Sequence, residues 1–505
     1  MESKSKAIRH KQMTNFLLNV FRSGIGILLS RVFGLVRDIA IAAVYGATGI
    51  TDIFFVAFAI PNLFRQLFSE GAMASAFMPF LADKFKTGGK SAQNAYLTQL
   101  VCIQTVIITV LCLLIMLAAS FVIKVFIPGY IDDPFIINKG AEVLRVVMPF
   151  LLAISLCGMF AGFLNIHGSY FIPYASSALC NIMMIIGAWF GYKQSGNIMC
   201  LAWGAVGGGV VQLVVVYFFA AVYGFKPTIL KNLDSAVKKT YLLLVPSMAG
   251  VGISQLNFLV GRIIASYLPF GSISWLFYAN RLFQFPLGVF SVAVGTVSLT
   301  ELSKARADDD IIRRNIMIDK AMFSIIAIIL PATVGLIGLS SEITALIYER
   351  SAFDASDVAG TSSALCMYAL GLLFFSLVNV LTRIFHADKD TKTPVKCALV
   401  SFFVNILFNL ILMKPMGHTG IALASSVAAF VNSFMLYRLV PDYKFSFKTN
   451  KSFIIKVISA NVVMLFAMIA AKYYGVFVLI NIILCIVIYF LSLRIMKINL
   501  LRLLR

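Results

Sequence analysis

The chain has 505 residues, of which 60% are hydrophobic and only 12% are charged. An average soluble domain carries about 25% charged residues, so this composition excludes an ordinary water-soluble fold and predicts a protein of the lipid bilayer. The 42 Lys and Arg outnumber the 21 Asp and Glu, which gives a formal net charge of +21. The basic residues punctuate apolar runs instead of clustering in polar segments, which favours membrane loops over a nucleic-acid partner.

Apolar segments long enough to cross a bilayer recur along the whole chain. A spanning helix needs about 20 mainly apolar residues. By this test the sequence predicts fourteen spans, at 15–45, 52–82, 95–127, 137–164, 170–192, 198–222, 240–268, 272–302, 316–340, 361–386, 393–413, 419–438, 453–471 and 475–496. We therefore expect an all-α polytopic membrane protein.

The connections between the predicted spans alternate in charge. Loops after predicted helices 2, 6, 8, 10 and 12 are rich in lysine and arginine, whereas those after helices 3 and 9 carry acidic residues such as Asp132 and Glu349. Basic loops stay in the cytoplasm, so an even number of spans places both termini there. The basic N-terminus precedes a long apolar helix, and we interpret it as a retained segment, not a cleaved signal peptide.

A weak internal repeat relates predicted helices 1–2 to predicted helices 7–8. The aromatic cluster that starts at Phe54 recurs at Leu276. We call the separation of these two positions the repeat spacing; it does not hold at the arginines. Duplication of a six-helix lobe would place a substrate site where two lobes face each other. The predicted division is an N-terminal lobe at 1–225, a C-terminal lobe at 226–450, and two additional helices at 451–505.

Arginines inside the predicted spans are the strongest candidates for function, because an arginine at the centre of a span costs about 2.5–3.5 kcal/mol on insertion scales. Arg31, Arg65 and Arg281 lie deep in their spans without an adjacent acid. We expect them to line an anion site. Three convergent guanidiniums suit a diphosphate, since the planar fork of arginine matches phosphate oxygens.

Other ionisable residues have a strong structural alternative, which is pairing within the protein or snorkelling to an interface. Asp38 and Asp52 lie near the ends of their spans, where this alternative is favoured. Arg37 has both acids as candidate partners, Asp38 beside it and Asp52 on the next helix.

Two asparagines one helical turn apart, Asn405 and Asn409, lie on predicted helix 11. Their oxygens are candidate Na⁺ ligands, and the alternative is hydrogen bonding that packs the helices. The eight cysteines have no metal-ligand spacing and the four histidines are scattered, so we predict no metal site. We also predict no cofactor, which leaves an ion gradient, the membrane potential or consumption of the product to supply direction.

Several motifs, in order along the chain, resemble those of the MurJ/MviN family. The matching runs are 30–38, 51–58, 61–65, 70–72, 274–275, 278–282, 285–289, 295–296 and 390–396. Members of this family are lipid II flippases within a wider group that contains multidrug extruders and polysaccharide flippases. The resemblance covers the whole chain.

The resemblance implies two six-helix lobes around a central cavity, with predicted helices 13 and 14 forming a groove for the lipid tail. The family's cavity residues map onto Arg31, Arg37, Asp52, Arg65 and Arg281. Supporting or gating roles are expected for Asp38, Glu70 and Arg262.

The implied activity is transport, not catalysis. The expected partners are lipid II, membrane lipids and cell-wall synthases of the elongation or division machinery, and the chain is expected to act as a monomer in the bacterial cytoplasmic membrane. A flippase for another polyprenyl-linked glycan, such as an O-antigen or teichoic-acid precursor, is the alternative. A drug/cation antiporter would need cavity carboxylates, and a scaffold would leave arginines at membrane depth unexplained.

Overall fold

The computed structural model describes residues 2–70, 72–229, 234–308, 310–443 and 447–498, with side chains described from residue 23 onward apart from a few helical positions. Within these ranges the chain is helical, and the one β-type pairing is an isolated bridge between Arg350 and Phe353. The all-α prediction is therefore confirmed for the described chain. The structure divides into two compact units, Met1–Tyr267 (unit 1) and Leu268–Arg505 (unit 2).

Unit 1 contains nine α-helices in its described residues. They are α1 Glu2–Tyr45, α2 Gly49–Arg65, α3 Ala72–Leu117, α4 Ala119–Phe126, α5 Pro134–Val147, α6 Pro149–Ile166, α7 Phe171–Lys193, α8 Ile198–Val222 and α9 Ser235–Ala265. A π-helical segment, Gln66–Glu70, follows α2, and a short 3₁₀ turn, Pro128–Tyr130, follows α4.

Unit 2 contains ten α-helices in its described residues. They are α10 Ser272–Pro286, α11 Val292–Ala307, α12 Ile311–Gly338, α13 Ser340–Tyr348, α14 Ala355–Leu370, α15 Leu372–Ala387, α16 Lys392–Met416, α17 His418–Leu439, α18 Phe447–Tyr473 and α19 Val478–Ile495. A second π-helical segment, Leu287–Ser291, joins α10 to α11.

The described residues form ten helical runs that are long and apolar enough to cross a membrane, or eleven if α14 and α15, bent by 44°, make one span. One of the ten is Gly49–Leu117, a run of 69 residues. A straight helix of that length would measure about 100 Å, whereas the hydrocarbon core is about 30 Å thick. Gly89 interrupts this run at φ 64° and ψ −160°, a conformation largely restricted to glycine. This run is long enough to cross the bilayer twice. The total of fourteen membrane spans remains a prediction.

Helices α7 and α8 of unit 1 approach each other through small residues. A Cβ on Gly187 would lie 2.6 Å from the Cys200 carbonyl oxygen, and one on Gly204 would lie 2.8 Å from the Met183 carbonyl oxygen. These distances are too short for any side chain larger than hydrogen, so α7 and α8 pack backbone against backbone. Such packing is characteristic of helices in membranes.

Polar contacts attach α9 to α3 within unit 1. Tyr96 and Thr240 share a hydrogen bond of 2.6 Å, Tyr241 donates to Gln104 at 3.1 Å, and Lys84 pairs with Asp234 at 2.5 Å. These contacts attach α9 to the N-terminal helices, so unit 1 includes α9 and ends at Tyr267. The predicted lobes at 1–225 and 226–450 rest on internal duplication, which contacts do not test, and they remain a prediction.

The last two helices are part of unit 2. Tyr489 on α19 donates to the Ala327 carbonyl on α12 at 2.6 Å, and Lys472 on α18 pairs with Glu342 on α13. Met464 and Met468 lie in one buried cluster with Leu339. The described part of 451–505 thus packs against α12 and α13.

The internal repeat is visible in the geometry of the two units. In unit 1, Ser69 of the first π-helical segment donates to the Ile154 carbonyl on α6 at 2.9 Å. In unit 2, Ser291 of the second π-helical segment donates to Ser376 on α15 at 2.6 Å. The two serines are separated by the repeat spacing that relates Phe54 to Leu276, and so are their partners Ile154 and Ser376. The structural relation therefore has the same spacing as the repeat in the sequence.

Candidate functional site

Arg37 on α1 is held on two sides. Its Nε and Nη2 donate to the Asp38 carboxylate at 3.0 and 2.6 Å, and its Nη1 donates to the Asn181 side-chain oxygen on α7 at 3.0 Å. The Asp38 side chain is fully buried and that of Arg37 is 13% exposed. The predicted pairing of Arg37 with Asp38 is confirmed. All three nitrogens of this guanidinium donate to acceptors of the protein. It is therefore poorly placed to form two parallel hydrogen bonds with a phosphate.

Asn181 is a contributor that the sequence did not reveal. Its side-chain nitrogen donates to the Ser30 carbonyl at 3.3 Å, while its oxygen receives Arg37. Beside it, Ser177 donates to the Ser30 hydroxyl at 2.6 Å. A polar strip on α7 thus fixes the part of α1 that carries both Arg31 and Arg37. The only sequence signal is an asparagine inside an apolar span, which more often reflects helix packing.

Arg31 differs from Arg37 in every respect that matters for binding. It is exposed, and it forms no hydrogen bond or ion pair with the rest of the described chain. It lies on nearly the same helical face as Asp38, two turns away, and next to the exposed apolar side chains Leu28 and Val32. An unneutralised guanidinium in such surroundings is expected to attract an anion.

Arg65 ends α2 immediately before the first π-helical segment. Asn62, one turn earlier, accepts a hydrogen bond from Arg65 Nε at 3.1 Å and so orients the guanidinium. The guanidinium groups of Arg65 and Arg37 both lie within electrostatic range of the Cys180 thiol of α7. The two positive charges are therefore neighbours of the same part of α7.

Asp52 does not face an open surface. It lies in the first turn of α2 with none of its surface exposed, and its Oδ2 accepts a hydrogen bond from the Tyr130 hydroxyl at 3.1 Å. A substrate could reach this carboxylate only after α2 or the Pro128–Tyr130 turn had moved. Tyr130 is a second residue that sequence reasoning missed, because a tyrosine in a loop 78 residues away gives no local signal.

For two of the remaining predicted residues, Arg281 and Arg262, the structure gives the helix and the burial. Arg281 is partly buried on α10, where Gln284 donates to Asn280 at 2.7 Å beside it. Arg262 is partly buried in the last turn of α9. The Glu70 side chain lies outside the described residues.

Asn405 and Asn409 are both buried and bond to each other. Asn409 donates to the Asn405 side-chain oxygen at 2.9 Å, and Asn405 donates to Ser425 on α17 at 3.4 Å. These bonds are those of the helix-packing alternative, since α16 and α17 are joined through them. The Na⁺ role remains a prediction.

The sequence model of the family described as "Lipid II flippase MurJ" matches residues 41–493 of this chain. A probable lipid II flippase MurJ from Buchnera aphidicola is 30% identical over 467 residues, which are 91% of this chain and 90% of that protein. The corresponding protein of Vibrio cholerae is 33% identical over 429 residues (81% of this chain, 80% of that one). A lipid II flippase MurJ of Burkholderia cenocepacia is 33% identical and covers 83% of both chains.

Solved structures give the same result. A lipid II flippase MurJ in an inward closed conformation superposes with a TM-score of 0.81 at 28% identity, covering 94% of this chain and 98% of that one. A multidrug resistance MATE transporter in an inward-facing conformation has a TM-score of 0.69 at 11% identity, covering 87% of this chain and 99% of the other, and this likeness concerns the fold alone. The family match over most of the chain, together with these relatives, shows that the chain belongs to the lipid II flippase MurJ family.

Proposed function

We propose that this protein is a lipid II flippase. It takes the undecaprenyl-pyrophosphate-linked peptidoglycan precursor from the cytoplasmic leaflet and presents it at the outer leaflet by alternating access. The proposal is supported by membership of the family, by the many apolar helices, and by the arginine chemistry of α1 and α2. The protein acts as a transporter, and it is not assigned catalysis.

The observation that carries the proposal is the contrast between Arg31 and Arg37 on one helix. Arg37 is neutralised by Asp38 and bonded to Asn181, whereas Arg31 is exposed and pairs with no acid among the described residues. Keeping an unpaired arginine in an apolar helix is costly. A transported anion neutralises the guanidinium when it binds, and this interaction offsets the cost.

A diphosphate is the anion that fits best. Arg31 supplies one guanidinium and Arg65, oriented by Asn62, supplies another; Arg281 is assigned to the same head group on the sequence pattern. Planar guanidiniums form paired, charge-assisted bonds with phosphate oxygens. Arg37 and Asp38 support this arrangement by fixing α1, and Glu70 and Arg262 are assigned supporting roles.

The membrane arrangement completes the proposal. Fourteen spans with both termini in the cytoplasm of a bacterium agree with the charge of the loops, and α18 and α19 provide the groove for the polyprenyl tail. The protein works as a monomer beside cell-wall synthases, and the membrane potential or an ion gradient gives transport its direction.

Depletion in a cell that depends on this protein provides the test. We expect lipid II to accumulate in the cytoplasmic leaflet, as measured by the accessibility of its head group to an added outer-leaflet probe. Replacing Arg31 or Arg65 with alanine should abolish rescue while the folded protein stays at its normal level. Arg438 is a matched control, because it stacks on Phe434 of its own helix and R438A should still rescue.

The outcome that would contradict the proposal is unchanged exposure of lipid II at the outer leaflet after depletion. Rescue of a strain that lacks its lipid II flippase separates this cargo from other polyprenyl-linked glycans. If the chain fails to rescue that strain but restores export of an O-antigen or teichoic-acid precursor, the cargo assignment is wrong and the transporter assignment stands.

A further inference from the structure

We propose that Tyr130 is a positioning residue that holds Asp52 and, through Gly129, ties the start of α2 to the end of α9. We call the four residues Asp52, Gly129, Tyr130 and Ser266 the α2–α9 tie. In this assignment Asp52 is an internal hydrogen-bond acceptor and not a contact of the transported head group. The activity arm of the test rests on the proposed function, whereas the stability arm does not.

The first half of the tie is the buried bond between Tyr130 and Asp52. The tyrosine hydroxyl donates to Asp52 Oδ2 at 3.1 Å, with the carboxylate 0% and the tyrosine 6% exposed. Burial of a carboxylate is unfavourable unless donors satisfy its oxygens. Burial, and then the charge of Asp52, raise the pKa of Tyr130, so its proton stays on the hydroxyl. The donor in this bond is therefore permanent at any physiological pH.

The second half is the contact between Gly129 and Ser266. The Gly129 amide donates to the Ser266 hydroxyl at 3.0 Å, and that hydroxyl donates to the Ile263 carbonyl of α9 at 2.7 Å. A Cβ on Gly129 would lie 2.2 Å from the Ser266 carbonyl oxygen. The neighbour is backbone, which cannot turn aside as a flexible side chain can, so this position requires glycine.

The two contacts are made by consecutive residues of the chain, so they are mechanically linked. Gly129 and Tyr130 belong to the same 3₁₀ turn, Pro128–Tyr130, so the turn contacts α9 through its second residue and α2 through its third. A movement of either helix end would pull on both bonds. The loop charges assign this end of unit 1 to the outer side of the membrane, which is where transport must open and close a path.

A double-mutant cycle on Y130F and D52N tests whether the two residues act together. We expect each variant to slow lipid II flipping by about tenfold, the scale of a lost hydrogen bond to a charged group, and the double variant to be no slower than D52N. The affinity for lipid II, measured by native mass spectrometry, should stay within about twofold of wild type in all three. Thermal unfolding of the same purified proteins should show the same lack of additivity.

Y45F is the matched control. Tyr45 is also buried in unit 1, but its hydroxyl donates to the Asn197 carbonyl at 3.2 Å and not to a carboxylate. Hydrogen–deuterium exchange over 262–267 reports on the end of α9, and we expect it to rise in Y130F and G129A and to stay at the wild-type level in Y45F.

Three results would overturn the inference. One is additive losses in the cycle, which would mean that Tyr130 and Asp52 act separately. A second is a large loss of lipid II affinity in D52N alone, which would make Asp52 a ligand of the head group. A third is equal exchange at 262–267 in Y130F and Y45F. If the wild-type protein itself fails to flip lipid II, the proposed function fails, while the cycle on thermal unfolding and the exchange data still decide the tie.

Discussion

The two units each contain one π-helical segment in their described residues, and these two segments can be compared directly. Each follows a proline-containing helix, α2 with Pro61 or α10 with Pro286, and each uses a serine to bond to a helix farther along its unit. Short π-helical insertions often occur at functional sites. Both units have a π-helical segment with a serine hydrogen bond, and we call these segments the first bend and the second bend because π-bulges are a usual site of helix kinks.

The regions differ in what surrounds that contact. Beneath Ser69 lies Gly158, where a Cβ would be only 2.3 Å from the serine hydroxyl, whereas the position that the repeat spacing relates to Gly158 is Val380, fully buried. The first bend therefore packs closely against a glycine, whereas the related position in unit 2 is a buried valine. The charges differ as well, since Arg65 immediately precedes the first π-helical segment and its counterpart at the repeat spacing is Leu287.

The comparison teaches that the two units share backbone geometry here but not charge. Both π-helical segments have a serine hydrogen bond, although Pro61 and Pro286 do not stand at the repeat spacing. Arg65 has no arginine counterpart at that spacing.

The largest expected effect concerns the charge beside the first bend. R65A should lower the affinity for lipid II by about 10- to 100-fold, the value of one to two charge-assisted hydrogen bonds, as measured by native mass spectrometry. Adding L287R to R65A moves the arginine to the position related by duplication. We expect no recovery, because only the first bend is built around an arginine. Full recovery would show that the two bends are interchangeable.

The next effect concerns the close approach at Gly158. G158A places a methyl group against Ser69 and should destabilise the protein by about 1–3 kcal/mol, the usual range for overpacking, seen as a lower midpoint of thermal unfolding. S69A should recover part of this loss, since it removes the nearest clashing atom. An unchanged midpoint in G158A would contradict the close packing of the first bend.

A smaller effect compares the two serines directly. S69A and S291A each remove one buried hydrogen bond and should each cost about 1 kcal/mol of the free energy of unfolding. Ser376 keeps its bond to the Leu372 carbonyl at 2.8 Å after S291A, so neither variant leaves a buried hydroxyl without a partner. Chemical denaturation of the purified variants measures both, and a difference above about 1 kcal/mol would show that the bends are not equally fixed.

The smallest effect concerns Lys84 and Asp234, which join α3 to the start of α9 in unit 1. Partial burial raises the pKa of Asp234, but hydrogen bonds from Lys84 and the Ala236 amide and the charge of Lys84 outweigh it, so the net pKa is lowered. A lowered pKa stabilises the folded state above the unfolded pKa of about 3.9 and loses that contribution as the pH falls. D234N should cost at most about 1 kcal/mol at pH 7 and less than that near pH 3. Unfolding midpoints at the two pH values test this, and a cost that is the same at both pH values would argue for a packing role instead.

The helices and the Arg37–Asp38 ion pair were predictable because they depend on residues that are close together in the chain. Each predicted span corresponds to helix in the described residues, and the adjacent Arg37 and Asp38 pair as one of the two alternatives anticipated. The two serine contacts have the repeat spacing that was read from Phe54 and Leu276, although the sequence alone did not single out these serines.

The rest depends on contacts between residues far apart in the chain. The sequence contains Pro61, but it does not say that the backbone widens into a π-helix after Arg65. It offers Asp52 as a candidate ligand, and only the structure shows Tyr130 covering it. The attachment of α9 to unit 1 rests on pairs such as Tyr96 with Thr240, 144 residues apart, which no periodicity can reveal.

The Arg37–Asp38 ion pair has a consequence for how α1 responds to voltage. Opposite charges on consecutive residues of one helix move together, so their displacement carries no net gating charge. Arg31 carries a full charge, and moving it through about 100 mV is worth about 2.3 kcal/mol. Of the two arginines on this stretch of α1, only Arg31 would carry net charge if the helix moved through an electric field, and a bound anion would change that charge.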